Sequence, residues 1–213
     1  MTDYLKAATK AIEILIRYNI RKSPIMPLPI LEKMDNVKVG TFAELHDVSS
    51  VDLCEVGRGE FRDSCLLIYY ENGKSKYMLA YNELLPDSVL QKSLAVELGH
   101  VALSHTERSA ENESEAEFFA LHLLCPRPLV HLMQAISIRI TEDLLANLTG
   151  THHQTLINIR HAPGVAVSPS LNRFVRNLFM PFVMNCFEYY RDVKPPDGSA
   201  LVDFGTYMES YEE

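Results

Sequence analysis

The chain has 213 residues, of which 47% are hydrophobic, and a formal net charge of -8. This length and apolar content can bury a full core, in one domain with an appendage or in two small domains. Phosphate backbones are held mainly by Lys and Arg, so the acidic balance disfavours direct nucleic-acid binding. No apolar run reaches the roughly 18 residues of a membrane span. We expect a cytoplasmic protein whose four cysteines are reduced thiols.

The first part of the chain predicts a helix followed by short elements. Apolar residues in the first twenty positions recur at helical spacing, which predicts an amphipathic helix that Asn19 closes. These residues are Leu5, Ala8, Ile12, Leu15 and Ile16. After a proline-rich break, residues 31–34 predict a short helix and residues 37–45 predict a strand.

A β-hairpin is the clearest β element of the sequence. Residues 64–70 and 76–81 are rich in β-branched and aromatic side chains, which favours strands. The turn between them contains Asn72 and Gly73, a pair that suits a type I′ turn.

Helices are predicted from Pro86 onward. A helix starts at Pro86 and continues through VELGHVAL, and a polar break, TERSAENES, follows it. A second helix is predicted to open at Glu115 and to stop at Pro126, because proline cannot continue a helix. Together these elements predict an α+β fold.

The C-terminal part is predicted to be helical. Residues 141–160 contain two short apolar-periodic runs around Gly150, as in a helix-turn-helix, and residues 170–193 predict a long apolar helix kinked at Pro181. The last twenty residues mix Pro, Gly and acids and indicate a loose tail. The predicted division is therefore 1–140, 141–193 and 194–213.

The stretch VELGHVALSH, residues 96–105, has the spacing of a metal-binding helix with one position changed. Side chains at positions 96 and 100 lie one turn apart and can converge on one ion. His100 fills the second position, and Glu97 stands where a general base would, whereas Val96 cannot bind a metal. The alternative is structural: Glu97 would be a solvated helix residue and His100 a hydrogen-bonded core histidine.

This stretch, together with SEAEFFALHLLCP at residues 114–126, resembles the ImmA/IrrE family of metallopeptidases, in which H-E-L-G-H is followed by E-A-x-x-F-A-x-x-L-L-x-P. The resemblance extends over about residues 5–160. It implies a zincin-like fold with a small sheet, a zinc ion held by His100 and Glu115, and Glu97 as general base. It also implies that the protein is encoded in a mobile element or stress circuit. Its expected substrate or partner is a helix-turn-helix transcriptional repressor.

Because Val96 replaces the first ligand of the family pattern, the third zinc ligand is open. His105 is the nearest substitute, but it lies about 140° around the helix from His100 and requires the helix to end or bend near Ser104. His122 lies two turns from Glu115 and is a poorer candidate. His152 and His153 depend on the fold and cannot be placed from the sequence.

Two functional hypotheses follow. In the first, the chain is a zinc endopeptidase in which Glu97 takes a proton from zinc-bound water. In the second, it is a catalytically inactive member that binds a regulator without cutting it. A third hypothesis, DNA binding through residues 141–160, is least favoured because of the charge. Glu115 also has a purely structural interpretation, a capping box with Asn112.

Overall fold

The computed structural model describes residues 2–46, 63–135, 146–147, 150 and 164–192. The fold is α+β, as predicted, with a small sheet and mostly helices. Most of the predicted helix-turn-helix segment, including His152 and His153, and the predicted tail lie outside the described residues. In the described part of the chain, no helix combines the length and the hydropathy needed to cross a bilayer.

The predicted N-terminal helix is α1, Tyr4–Arg17. Asp3 caps it, since the backbone N–H of Lys6 donates to Asp3 Oδ1 over 2.9 Å. Asn19 follows the helix with a φ of 54°, the left-handed conformation that commonly ends helices. Of the apolar residues that predicted this helix, Leu5 is 50% exposed.

Helix α2 is Pro27–Glu32, slightly earlier than the predicted short helix. The strand predicted over residues 37–45 ends early, as β1 Val37–Thr41, and continues as helix α3, Phe42–His46. A capping box causes the change. The N–H of Glu44 donates to Thr41 Oγ1 over 3.1 Å, and the N–H of Thr41 donates to Glu44 Oε2 over 2.8 Å.

The sheet has three strands in the order β1-β3-β2, with β2 Ser64–Glu71 and β3 Lys74–Tyr81. Strands β2 and β3 form the predicted antiparallel hairpin, and β1 pairs with β3 in parallel. Asn72 and Gly73 have φ values of 51° and 72°, as a type I′ turn requires. The hairpin prediction is confirmed.

Helix α4, Asp87–Leu103, contains the metallopeptidase-like stretch and packs on α2, β2 and β3. Helix α5 is Ala110–Leu124, so the prediction that it opens at Glu115 is wrong by about one turn. The helix begins earlier because Ser109 caps it, with Ser109 Oγ accepting from the N–H of Asn112 over 3.2 Å. The same contact contradicts the capping box between Asn112 and Glu115.

Two further helices complete the described elements: α6, Arg127–Ala135, and α7, Pro169–Asp192, which includes Pro181 as predicted. The described residues fall into two compact units. The first lies within Met1–Lys10 and Met26–Ala120, and the second within Ala11–Ile25 and Leu121–Glu213. The domain boundary expected near residue 140 stays a prediction, because residues 136–145 are not described.

Candidate active site

The candidate residues lie in the first unit, on α4, on α5 and on the loop between these helices. Glu97 and His100 are three residues apart on α4, so both side chains leave the helix on neighbouring faces. Both are buried, with 3% and 2% of their surface exposed. Val96 is partly exposed and does not belong to the fully buried core. The helix therefore directs two polar residues inward and leaves the substituted position near the surface.

His105 meets the condition that the sequence set for it. Helix α4 ends at Leu103, and Ser104 has left-handed backbone angles, φ 59° and ψ 39°. The N–H of His105 donates to the carbonyl oxygen of His100 over 3.0 Å, which turns the chain back towards the helix. The two Nδ1 atoms of His100 and His105 lie 3.0 Å apart, and their rings meet edge to face. His105 thus lies beside His100, although its role as a ligand stays a prediction.

Glu115 lies on the other side of the His105 ring. Its Oε2 atom is 3.3 Å from His105 Nε2, and its Oε1 atom accepts from the backbone N–H of Asp3 over 2.6 Å. The carboxylate therefore connects α5 to the residue that caps α1. These contacts are a structural use of Glu115 that the sequence did not predict.

The arrangement does not fit a three-ligand zinc site. Zinc binds nitrogen and oxygen at about 2.0–2.2 Å, so its ligands must point at one position. The two nitrogens of the His105 ring point away from each other, one at His100 and the other at Glu115. One ion cannot contact all three side chains in this arrangement. Among the described residues, no group of three or more His, Cys, Asp or Glu could hold a metal.

An arginine occupies the position next to the candidate base. Arg108 Nη2 lies 2.8 Å from Oε1 and 2.8 Å from Oε2 of Glu97. Ser64 Oγ, on β2, donates to Glu97 Oε1 over 3.0 Å and is also hydrogen-bonded to Ser93 over 2.6 Å. Both carboxylate oxygens of Glu97 therefore already have hydrogen-bond partners in the protein, and one of these partners, Arg108, is charged.

Glu113 links the arginine to the histidine. Its Oε2 atom lies 3.4 Å from Arg108 Nη1 and 3.3 Å from His100 Nε2. The distance between Glu113 Oε2 and His100 Nε2 is short enough for an ion pair, but the two atoms do not form a hydrogen bond. The buried Nε2 atom of His100 therefore has no hydrogen-bond partner. His100 Nε2 and Glu113 offer two donor atoms to a cation, which is fewer than a zinc site needs.

The protonation of the site follows from its burial. Burial raises the pKa of the Glu97 carboxyl above its ordinary value, while Arg108 and Ser64 oppose this shift. Burial, with the nearby Arg108 and His105, lowers the pKa of His100 to about 3. His100 is therefore a neutral imidazole near pH 7, and its contact with Glu113 is not an ion pair.

Arg108, Glu113 and Ser64 were not among the candidates taken from the sequence. Arg108 lies in the polar break after α4, where a charged residue ordinarily faces solvent, and no motif gives it a partner. It is, however, the only Lys or Arg between residues 101 and 126. A lone cation just after an incomplete metal motif is a signal that could have been used. Glu113 and Ser64 carry no comparable signal.

Comparison with known proteins agrees with the resemblance noted in the sequence. Residues 62–157 match the family model of the IrrE N-terminal-like domain, Peptidase_M78. The match begins well after residue 5, where the sequence resemblance was taken to start. No curated protein and no solved structure matches the chain. Residues 62–157, which include Glu97, His100, His105, Arg108 and Glu115, are therefore similar to the IrrE N-terminal-like domain of metallopeptidases.

Proposed function

We propose that this chain is a noncatalytic member of the ImmA/IrrE family, a cytoplasmic regulator that binds a helix-turn-helix transcriptional repressor without cleaving it. The observation that carries the proposal is the contact of Arg108 Nη2 with both oxygens of Glu97 at 2.8 Å. A general base needs an oxygen free to take a proton from the nucleophile. In this arrangement the charged partner holds both oxygens.

The guanidinium also accounts for the stability of the site without a metal. A buried carboxylate is costly unless a positive charge and hydrogen bonds compensate it. Arg108 supplies the charge and Ser64 supplies a hydrogen bond. Val96 removes one metal ligand, and Arg108 supplies positive charge beside Glu97. Together, Val96 and Arg108 favour a site in which the charge of Glu97 is balanced by protein groups and not by a metal ion.

One observation favours the rival function, a zinc endopeptidase. His100 Nε2 is buried and makes no hydrogen bond, as expected of a nitrogen that binds a metal ion. For this function Arg108 would have to leave Glu97, and His105 would have to turn so that one nitrogen joins His100 and Glu115 at a common ion. Metal content and hydrolysis distinguish the two functions.

The experiment measures zinc content and cleavage of helix-turn-helix repressors from the source genome, with protein purified without chelator. We expect substoichiometric zinc, no cleavage, and binding of a repressor by calorimetry. The Glu97→Gln variant should likewise show no cleavage. Stoichiometric zinc together with cleavage that Glu97→Gln abolishes would overturn the proposal and support the rival.

Two double variants test whether Arg108 prevents zinc binding. Val96→His with Arg108→Gln restores the first ligand position and removes the competing cation, so it should take up more zinc than the unmodified chain. Val96→His with Arg21→Gln is the matched control, because it also removes one exposed arginine but leaves Arg108 on Glu97. Equal zinc uptake by the two double variants would show that Arg108 is not what excludes the metal.

A further inference from the structure

A cavity of about 510 Å³ lies in the second unit, and its described lining contains no residue of the candidate active site. This volume is within the range of small-molecule sites, roughly 300–1,000 Å³. The polar residues of its described lining are His122, Arg127, His131, Asn172, Arg173 and Arg176. The described lining contains three arginines and no Asp or Glu.

The helices bring these cations together by their spacing. Asn172, Arg173 and Arg176 lie on one face of α7, because residues three and four apart are neighbours on a helix. Arg127 and His131, four residues apart, share a face of α6 in the same way. Helices α6 and α7 pack against each other, so both faces border one space.

Two of the arginines have no counterion among the described residues. The side chains of Arg173 and Arg176 are exposed and make no hydrogen bond or ion pair with any residue that the structure describes. Neighbouring like charges repel each other, and a bound anion would offset this repulsion. The planar guanidinium group matches the geometry of carboxylate and phosphate groups.

Two further features of the cavity suit an anion with an organic part. Helix α6 begins at Arg127 and helix α7 begins at Pro169, and both residues line the cavity. The N-terminal end of a helix carries a partial positive charge. Val165 and Val167 supply an apolar wall beside the cations.

We propose that this cavity binds a small organic anion, whose carboxylate or phosphate group pairs with Arg173 and Arg176 and whose apolar part lies against Val165 and Val167. The site does not depend on the chemistry of Glu97. It would let a small metabolite bind the second unit of the chain.

Calorimetric titration at low ionic strength tests the proposal, with citrate as the carboxylate probe, adenosine monophosphate as the phosphate probe, and inorganic phosphate for comparison. We expect saturable binding of citrate or adenosine monophosphate, tighter than that of inorganic phosphate. The tighter of the two organic probes identifies the anionic group. Arg173→Gln with Arg176→Gln should weaken this binding by about tenfold or more, because two charge-assisted contacts are lost.

The matched control is Arg17→Gln with Arg21→Gln, which removes two arginines of the same unit that do not line the cavity. It should bind as the unmodified chain does. The single variants Arg173→Gln and Arg176→Gln keep the test available if the double variant does not fold, as judged by circular dichroism. The proposal is overturned if neither organic probe binds, if inorganic phosphate binds as tightly as both, or if removal of Arg173 and Arg176 changes affinity no more than the control does.

Discussion

Glu97 obtains its ionic partner from the loop that follows its own helix. Its side chain is 5% exposed, whereas that of Arg108 is 39% exposed, so the carboxylate is the more strongly desolvated member of the pair. For this reason the loss of the arginine and the loss of the carboxylate have unequal consequences. Removing Arg108 leaves a buried charge, whereas removing the charge of Glu97 leaves a solvated arginine.

Arg108→Gln is expected to lower the free energy of unfolding by about 1–3 kcal/mol, less than the roughly 3–5 kcal/mol of a fully buried pair because Arg108 is partly exposed. Addition of Glu97→Gln should restore part of this loss, since no buried charge is then left. Urea denaturation of the two single variants and the double variant measures the coupling. Additive effects of the two substitutions would contradict an ion pair that matters for stability.

His100 gives the site a pH dependence of known sign. Its pKa is about 3 in the folded chain, against an ordinary value of 6.5, so the unfolded chain binds more protons between these values. Stability from neutral His100 is present above about pH 6.5 and is lost as the pH falls towards 3. Between pH 7 and pH 5 the loss should approach about 2 kcal/mol.

His100→Asn should make the free energy of unfolding less dependent on pH over this interval. Urea unfolding of both proteins at pH 7 and pH 5 gives the comparison. Glu97 titrates in both proteins, so the difference between their slopes isolates His100. The same slope in the two proteins would mean that His100 is not the proton-binding group of this interval.

At the scale of elements, local chemistry determines what the sequence can predict. The hairpin was predictable because Asn72 and Gly73 both adopt the positive φ that its turn needs. The start of α5 was not predictable, because its first turn consists of polar residues without apolar periodicity. Only Ser109 marks the N-terminal cap. The Arg108–Glu97 contact joins a loop to a helix eleven residues away, and no periodic pattern encodes it.

The contact of α4 with α5 is close at Gly99. A Cβ atom at this position would meet the backbone oxygen of Ala116 at 2.9 Å and a ring carbon of Phe119 at 3.1 Å. Alanine would favour the helix by about 1 kcal/mol, but overpacking costs about 1–3 kcal/mol, and backbone cannot move aside as a side chain can.

Gly99→Ala is therefore expected to destabilise the protein by about 1–2 kcal/mol in thermal or urea unfolding. Gly164→Ala is the matched control. Among the described residues, the nearest atom to its Cβ is an Arg127 nitrogen at 4.0 Å, so the stability of the protein should hardly change. A Gly99→Ala protein as stable as the control would show that the helices can separate at no cost.

At the scale of the whole molecule, the reactivity of buried thiols measures the unfolding of each unit separately. Cys65 belongs to the first unit, and Cys125 and Cys186 belong to the second. Burial raises the pKa of Cys125 and of Cys186 to about 12, and it also raises that of Cys65. Only the thiolate reacts with alkylating agents, so these thiols should be protected in the folded chain at pH 8.

Pulsed alkylation in increasing urea, with the modified sites identified by mass spectrometry, tests this expectation. Cys125 and Cys186 should lose protection at the same urea concentration, because both lie in one compact unit and become reactive only when that unit opens. Free N-acetylcysteine in each sample controls for the reactivity of the reagent. Alkylation of Cys186 well before Cys125 would show that α7 opens separately from the helices around Cys125, and the second unit would then not unfold as one body.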